Sequence, residues 1–182
     1  LTTAEKKEVF ANASGWVREA GSALSGNDNT DADPEVLVAI GELSTSIGAA
    51  DITEVEMVTT TADKSEGFTI SVRVRYNEPV DVVTTGGTPT LAVTNSNDGT
   101  GSGRGPHSLS YASGTGTNEL IFSLAIAAAN AATNADDVLS VGAQTIALNS
   151  GTMKDASGTA SDAALVISGA LGTAAGTVTV TA

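Results

Sequence analysis

The chain has 182 residues, 21 acidic against 8 basic side chains, a net charge of −13 and no cysteine. That balance leaves no basic patch to neutralise phosphates, which excludes nucleic acid and disfavours anionic membranes. Without cysteine, disulfides and thiolate chemistry are excluded, and no apolar run reaches the roughly 18 residues of a membrane helix.

The start, LTTAEKKEVF, lacks the apolar stretch of a signal peptide. Residues 1–50 are expected to form a helical hairpin. Thr2 with Glu5 fits a capping box. Val9, Phe10, Ala13, Trp16, Val17 and Ala20 recur at the spacing of one helix face, and Gly21 suits a stop. A second helix is expected to open at Asp33, with Pro34 at its first position and Glu35 in the first turn. Val36, Leu37, Ile40, Leu43 and Ile47 would form its stripe, closed by Gly48. A two-helix unit cannot shelter both stripes against itself. Phe10, Trp16, Val17, Leu37, Ile40 and Leu43 are therefore the expected interface residues.

The connecting stretch SGNDNTDADPEV, residues 25–36, places Asn27, Asn29 and Asp31 at alternate positions, as in a calcium loop. The turn glycine is then Ala32 and the bidentate acid position falls on Val38, so neither requirement of an EF-hand is met. An Asx-rich turn that holds no metal is the expectation.

From Ile52 onward the apolar period becomes two. Phe68, Ile70, Val72, Val74 and Tyr76 alternate with Thr69, Ser71, Arg73 and Arg75. Further strands are expected at Leu91 with Val93, Leu109 with Tyr111, Leu120 through Ile126, Leu139 with Val141, Ile146 with Leu148, Leu165 with Ile167, and Val178 with Val180. Gly114 and Gly116 mark a hairpin. Residues 94–108 read as a long loop, and AIAAANAATNADD as a helical turn or a crossing loop. Many short strands separated by turn residues argue for a β-sandwich over residues 53–182.

Little of the chain points to catalysis. His107 is the lone histidine, which argues against zinc. No G-x-S-x-G elbow accompanies it to make a Ser-His-Asp triad. The glycines at 99, 101, 103 and 105 lack a P-loop lysine. Asp136 and Asp137 are the one adjacent acidic pair of the β region, while Asp98, Asp155 and Asp162 stand singly. With one Trp, two Tyr and three Phe, aromatic sugar platforms are scarce. The expectation is a protein without enzymatic activity and without a cofactor.

Three runs carry a family resemblance: VRYNEPVDVVTTGGTPTLAVTN, LSYASGTGTNELIFSLAI and ADDVLSVGAQTIALNSGTMKDASGTASDAAL. In order and spacing they resemble a bacterial immunoglobulin-like repeat of large cyanobacterial and other bacterial surface proteins and adhesins. The match covers about residues 53–168. It rests on a strand ending in Glu78, Pro79 and Val80, the GTPTL strand, the hairpin at residues 111–122 and the segment at 148–158. Thr159 stands where the repeat usually has Asn, and one copy occurs where tandem copies are usual.

The resemblance implies a mostly β chain, an Ig-like β-sandwich preceded by the N-terminal helical hairpin, with a surface-exposed role and no catalytic residues. A single module is similar to the small decoration proteins that tailed phages carry on capsids and tails. The expected role is therefore a structural protein of the virion. Its expected partners are other virion proteins or copies of itself, and a host-surface glycan or protein. The alternative is an extracellular module of a bacterial cell-surface adhesin, or a calcium- or glycan-binding Ig-like domain.

Overall fold

The computed structural model describes residues 8–12, 15–23, 25–39, 48–96, 106–129, 132–156 and 160–182. The chain divides into two compact units, Leu1–Ile47 and Gly48–Ala182. Strands are the regular structure of the described residues in both, save one short helix in the second.

In the first unit, β1 (Val9–Asn12), β2 (Gly15–Arg18) and β3 (Glu35–Ala39) form an antiparallel sheet in the order β1-β2-β3. Among the described residues the expected helical hairpin is not seen: of the residues read as helix faces, Val9, Phe10, Trp16, Val17, Val36 and Leu37 lie in these strands, while Ala13 and Ile47 lie outside the described residues. The ambiguity has a geometric cause. Phe10 and Val17 are seven residues apart, which is two helical turns but also the separation of partners across a tight hairpin, and they are paired. Gly15, at φ 128°, takes a backbone conformation foreign to a helix interior. The Asp33 and Pro34 start signal is overridden by Val36, Leu37 and Val38, whose run suits a strand that can pair with β2. The expected contact residues Ile40 and Leu43 lie outside the described residues.

The second unit contains β4 (Ile52–Met57), β5 (Ala62–Asp63), β6 (Phe68–Val83), β7 (Thr90–Ser96), β8 (His107–Ser113), β9 (Thr117–Ile126) and β10 (Val138–Ser140). Then follow β11 (Gln144–Thr145), β12 (Thr152–Asp155), β13 (Val166–Ile167), the short helix α1 (Gly169–Ala174) and β14 (Thr177–Thr181). Nine of these strands share one sheet, ordered β12-β6-β9-β8-β7-β10-β14-β5, with β4 also on β6; β11 and β13 pair separately.

Alternation dictates the interior. On β6, Ile70, Val72, Val74, Tyr76, Val80 and Val82 point inward. They join Leu91 and Val93 of β7, Leu109 of β8, Leu120 and Phe122 of β9, Leu139 of β10, Met153 of β12, and Val178 and Val180 of β14. These residues form one core, so the sheet curls around them. Met57 donates its N–H to Ala175 O just after α1, tying β4 to the segment that leads into β14.

The resembling strand does not end at Glu78, Pro79 and Val80; it runs on to Val83. Proline has no N–H for a ladder. On one side of β6 the partner β4 stops opposite Tyr76 and β12 starts opposite Val80, so Pro79 falls in the gap. On the other side the register with β9 shifts between Arg75 and Val80. Strands β4 and β12 and helix α1 were not among the expected elements. Helix α1 is capped by Ser168, whose Oγ accepts from Leu171 N. The segment AIAAANAATNADD continues β9 as far as Ile126; its described residues beyond that are in neither helix nor strand, with Ala129 and Asp136 at φ 55° and 67°.

Side chains complete the backbone pairing where strands run out. Gln144 accepts from Ala92 N at 2.8 Å and donates to Ala92 O at 2.7 Å, imitating a strand partner for β7. Thr115, at the tip of the β8–β9 hairpin, accepts from Val82 N at 2.9 Å. Gly87 lies so close to the opposing loop that a Cβ there would sit 1.7 Å from Asn149 O. Replacing Gln144 by alanine strips two bonds from a half-buried strand and should cost about 1–3 kcal/mol. A shifted urea midpoint with an unchanged m-value checks it, and Gln144→Glu should also destabilise because its carboxylate cannot donate to Ala92 O.

Candidate functional site

The small sheet is the most apolar exposed surface described. Residues directly opposite in an antiparallel pair share a face. Phe10, Val17 and Val36 therefore lie on one face, and Trp16 with Val38 on the other. Leu37 is the extra residue where the register of β2 and β3 shifts. Phe10, Trp16, Val36, Leu37 and Val38 are between 39% and 54% exposed. Val17, also expected at the interface, is fully buried and so supports the sheet instead of presenting a surface. Val38 escaped the helical reading because it lies off the stripe; strand pairing sets it opposite Trp16. The signal that could have found it is three consecutive aliphatic residues, Val36, Leu37 and Val38. Neither edge of this sheet is paired among the described residues.

The loop between β2 and β3 is organised by its own side chains. Ser25 Oγ, Asn27 Oδ1 and Asn29 Oδ1 accept in turn from the N–H groups of Asn27, Asn29 and Asp31, at 3.1, 3.0 and 3.0 Å. These are successive side-chain turns. Ser25 also donates to Glu35 Oε1 at 2.8 Å, which fixes the start of β3. The Asx-rich turn thus leads into a strand where a helix cap was expected. Among the described residues no group of three or more His, Asp or Glu side chains is placed to hold a metal.

The outer face of the large sheet differs sharply. Along β6 it shows Thr69, Ser71, Arg73 and Arg75, and along β14 Thr177, Thr179 and Thr181. Arg75 pairs with Glu119 at 2.8 Å and with Glu54, while Arg73 meets Glu56 and reaches Glu119 at 3.7 Å. These ion pairs cross β4, β6 and β9 at directly opposed positions, except for the diagonal contact of Arg73 with Glu119. They are partly exposed and favour register over raw stability.

Tyr76 and His107 are buried inside the large unit. Tyr76 donates its hydroxyl to Ala164 O at 2.9 Å, and burial pushes the phenol well above its usual range. His107 is inside the sheet at the start of β8, with its Nε2 3.1 Å from Thr133 Oγ1. Burial lowers its pKa, and the nearby Asp137 carboxylate partly opposes that. Thr133 and Asp137 have no exposed surface, so this His-Thr-Asp grouping offers no access to a substrate.

A cavity of about 340 Å³ is lined by Lys64, Ser65, Ala129, Ala135 and Ala182, with few polar atoms. Lys64 donates instead to Asn134 Oδ1 at 3.0 Å. No helix among the described residues is long and apolar enough to cross a membrane. Compared with known proteins, the chain matches no family model, no curated protein and no solved structure.

Trp16 is the sole tryptophan, and it reports on the small sheet directly. Its fluorescence in the isolated protein should be red-shifted and readily quenched by acrylamide. Burial by a partner should shift the emission to the blue and reduce the quenching constant several-fold.

Proposed function

We propose that this chain is a non-catalytic structural protein of a virion, a capsid or tail decoration. Gly48–Ala182 would be an Ig-like β-sandwich module displayed to solvent, and the three-stranded sheet the attachment element. The observation that carries the reading is the contrast between the two sheets. One shows Phe10, Trp16, Val36, Leu37 and Val38 to water; the other shows hydroxyls and paired charges. A sheet of three short strands with apolar side chains on both faces gains little from remaining uncovered. A hydroxylated, charged outer face on a strongly acidic protein favours water and repels like particles. The resemblance of residues 53–168 to surface-protein repeats supports the display role by analogy of fold.

The attachment role makes a quantitative claim. Fully burying one large apolar side chain is worth about 1.5–3 kcal/mol, so losing one should weaken binding about tenfold or more. Particles assembled with Trp16→Glu should carry several-fold less of this protein per major structural subunit than particles with wild type. Thr179→Glu, on the outer face of β14, should be incorporated normally. Circular dichroism confirms that both variants fold. Normal incorporation of folded Trp16→Glu with loss of Thr179→Glu would invert the assignment. Recovery of the wild type in a cell-envelope fraction, and not on particles, would favour the adhesin reading.

A further inference from the structure

Residues 132–137, which lead into β10, are held by polar contacts from several strands. Asn95 of β7 donates its Nδ2 to Ala132 O at 2.8 Å. Thr133 Oγ1 and His107 Nε2 of β8 share a hydrogen bond at 3.1 Å. Lys64, next to β5, donates to Asn134 Oδ1 at 3.0 Å. Asp136 donates its N–H to Val180 O of β14, and Val180 donates back to Asp137 O, both at 2.8 Å. Asn134 N donates to Asp137 Oδ2 at 2.7 Å, folding the segment on itself. Its composition, ATNADD, brings no large apolar side chain to the core. Asp136 is held at φ 67°, an uncommon conformation for a residue with a Cβ. Few apolar contacts are a mark of a segment that opens locally before the rest of the fold.

The chain has one histidine, and it lies under this segment. We propose that residues 132–137 form an acid-released strap: protonation of His107 beneath it loosens its hold on the sheet end formed by β7, β8 and β14. In either neutral tautomer, Nε2 and the Thr133 hydroxyl satisfy each other with one hydrogen bond. The imidazolium carries its charge where only 6% of the residue is exposed, and both of its nitrogens must then donate. Opening the strap returns the ring to water, where the charge is solvated.

Among the described residues the neighbouring charges are few. Asp137 is the carboxylate acting on the ring and offsets part of the cost of burial. Lys64 is the cation bonded to the strap. From β7, Val93 lies opposite His107 and Asn95 two residues further along, and neither is charged. Burial lowers the histidine pKa below its ordinary value of about 6.5. The open state therefore binds the proton more tightly than the closed one. Closure is fully favoured above about pH 6.5 and is lost as the pH falls through the lower closed-state pKa.

Hydrogen exchange and NMR titration of the full chain test this. The single histidine gives one ring signal, whose midpoint should lie below 6.5. Protection factors, corrected for the intrinsic exchange rate, should fall at Asn134, Asp136 and Val180 by up to about tenfold per pH unit below pH 6.5. Core amides of β6 should fall less. In His107→Gln the strap amides should lose this pH dependence. In Thr133→Val they should lose protection at every pH while keeping the slope. A midpoint at or above 6.5 would overturn the proposal even if the variants fail to fold. So would an unchanged slope in His107→Gln, which would assign the effect to Asp137 or another carboxylate. Equal loss at strap and β6 amides would also overturn it, because the event would then be global unfolding.

Discussion

Strand β6 is the constraint on which the large unit depends. It is sixteen residues long and keeps its inward phase from Ile70 to Val82. Its partners are β9 on one side and β4, then β12, on the other. Because paired residues share a face, the phase of β6 decides which side chains of all three neighbours enter the core. A one-residue slip would turn Val72, Val74 and Tyr76 to water and bring Arg73 and Arg75 inside. The opposed charges of Glu54, Glu56 and Glu119 across Arg73 and Arg75 penalise the same slip from the outer face. Pro79 is tolerated because both neighbours release β6 at that point. The inward phase there also takes in Glu78, and Asp155 opposite Val80; both are buried and both have polar partners.

Around that strand, the loops are joined less by hydrophobic burial than by backbone groups and short side chains. Gln144 stands in for a peptide unit beside Ala92. Asn149 donates to Thr88 O and to Thr90 Oγ1, both at 3.0 Å, while its own backbone carbonyl abuts Gly87. Tyr111 accepts from Thr115 N at 2.7 Å and meets Phe122 edge to face. These contacts explain why the chain has Gly, Asn, Thr and Tyr at those places. Each occupies a point where two distant turns approach too closely for a larger side chain or leave a backbone group to be satisfied.

The same economy leaves little inside the large unit for chemistry. Its buried polar groups are internal fastenings: Tyr76 to Ala164, His107 to Thr133, Asn95 to Ala132. The small sheet has the opposite character. Its hairpin and third strand are pinned by Asx turns and by Ser25 on Glu35, yet its apolar side chains remain half in water. Local polar contacts specify the shape there, and burial is left incomplete. This contrast is the basis of the proposed attachment role.

By itself, the sequence determined the β character of residues 53–182, because strict alternation in β6 and in Leu120, Phe122, Leu124 and Ile126 fits no other period. It also determined the β8–β9 turn, where Gly114 and Gly116 take φ values of 111° and 77°, and the Asx turns at Asn27 and Asn29. These are local properties, set by sterics within a few residues. Only the tertiary structure decided the rest. A spacing of seven between Phe10 and Val17 suits a helix or a hairpin, and pairing with β3 resolved it in favour of strands. Short strands such as β5 and β12 are too brief to carry a period and exist because β14 and β6 offer them partners. His107 meets Thr133 and Asp137, and Gln144 meets Ala92, across separations of 26 to 52 residues. Such contacts depend on how the sheet curls, which no local pattern encodes.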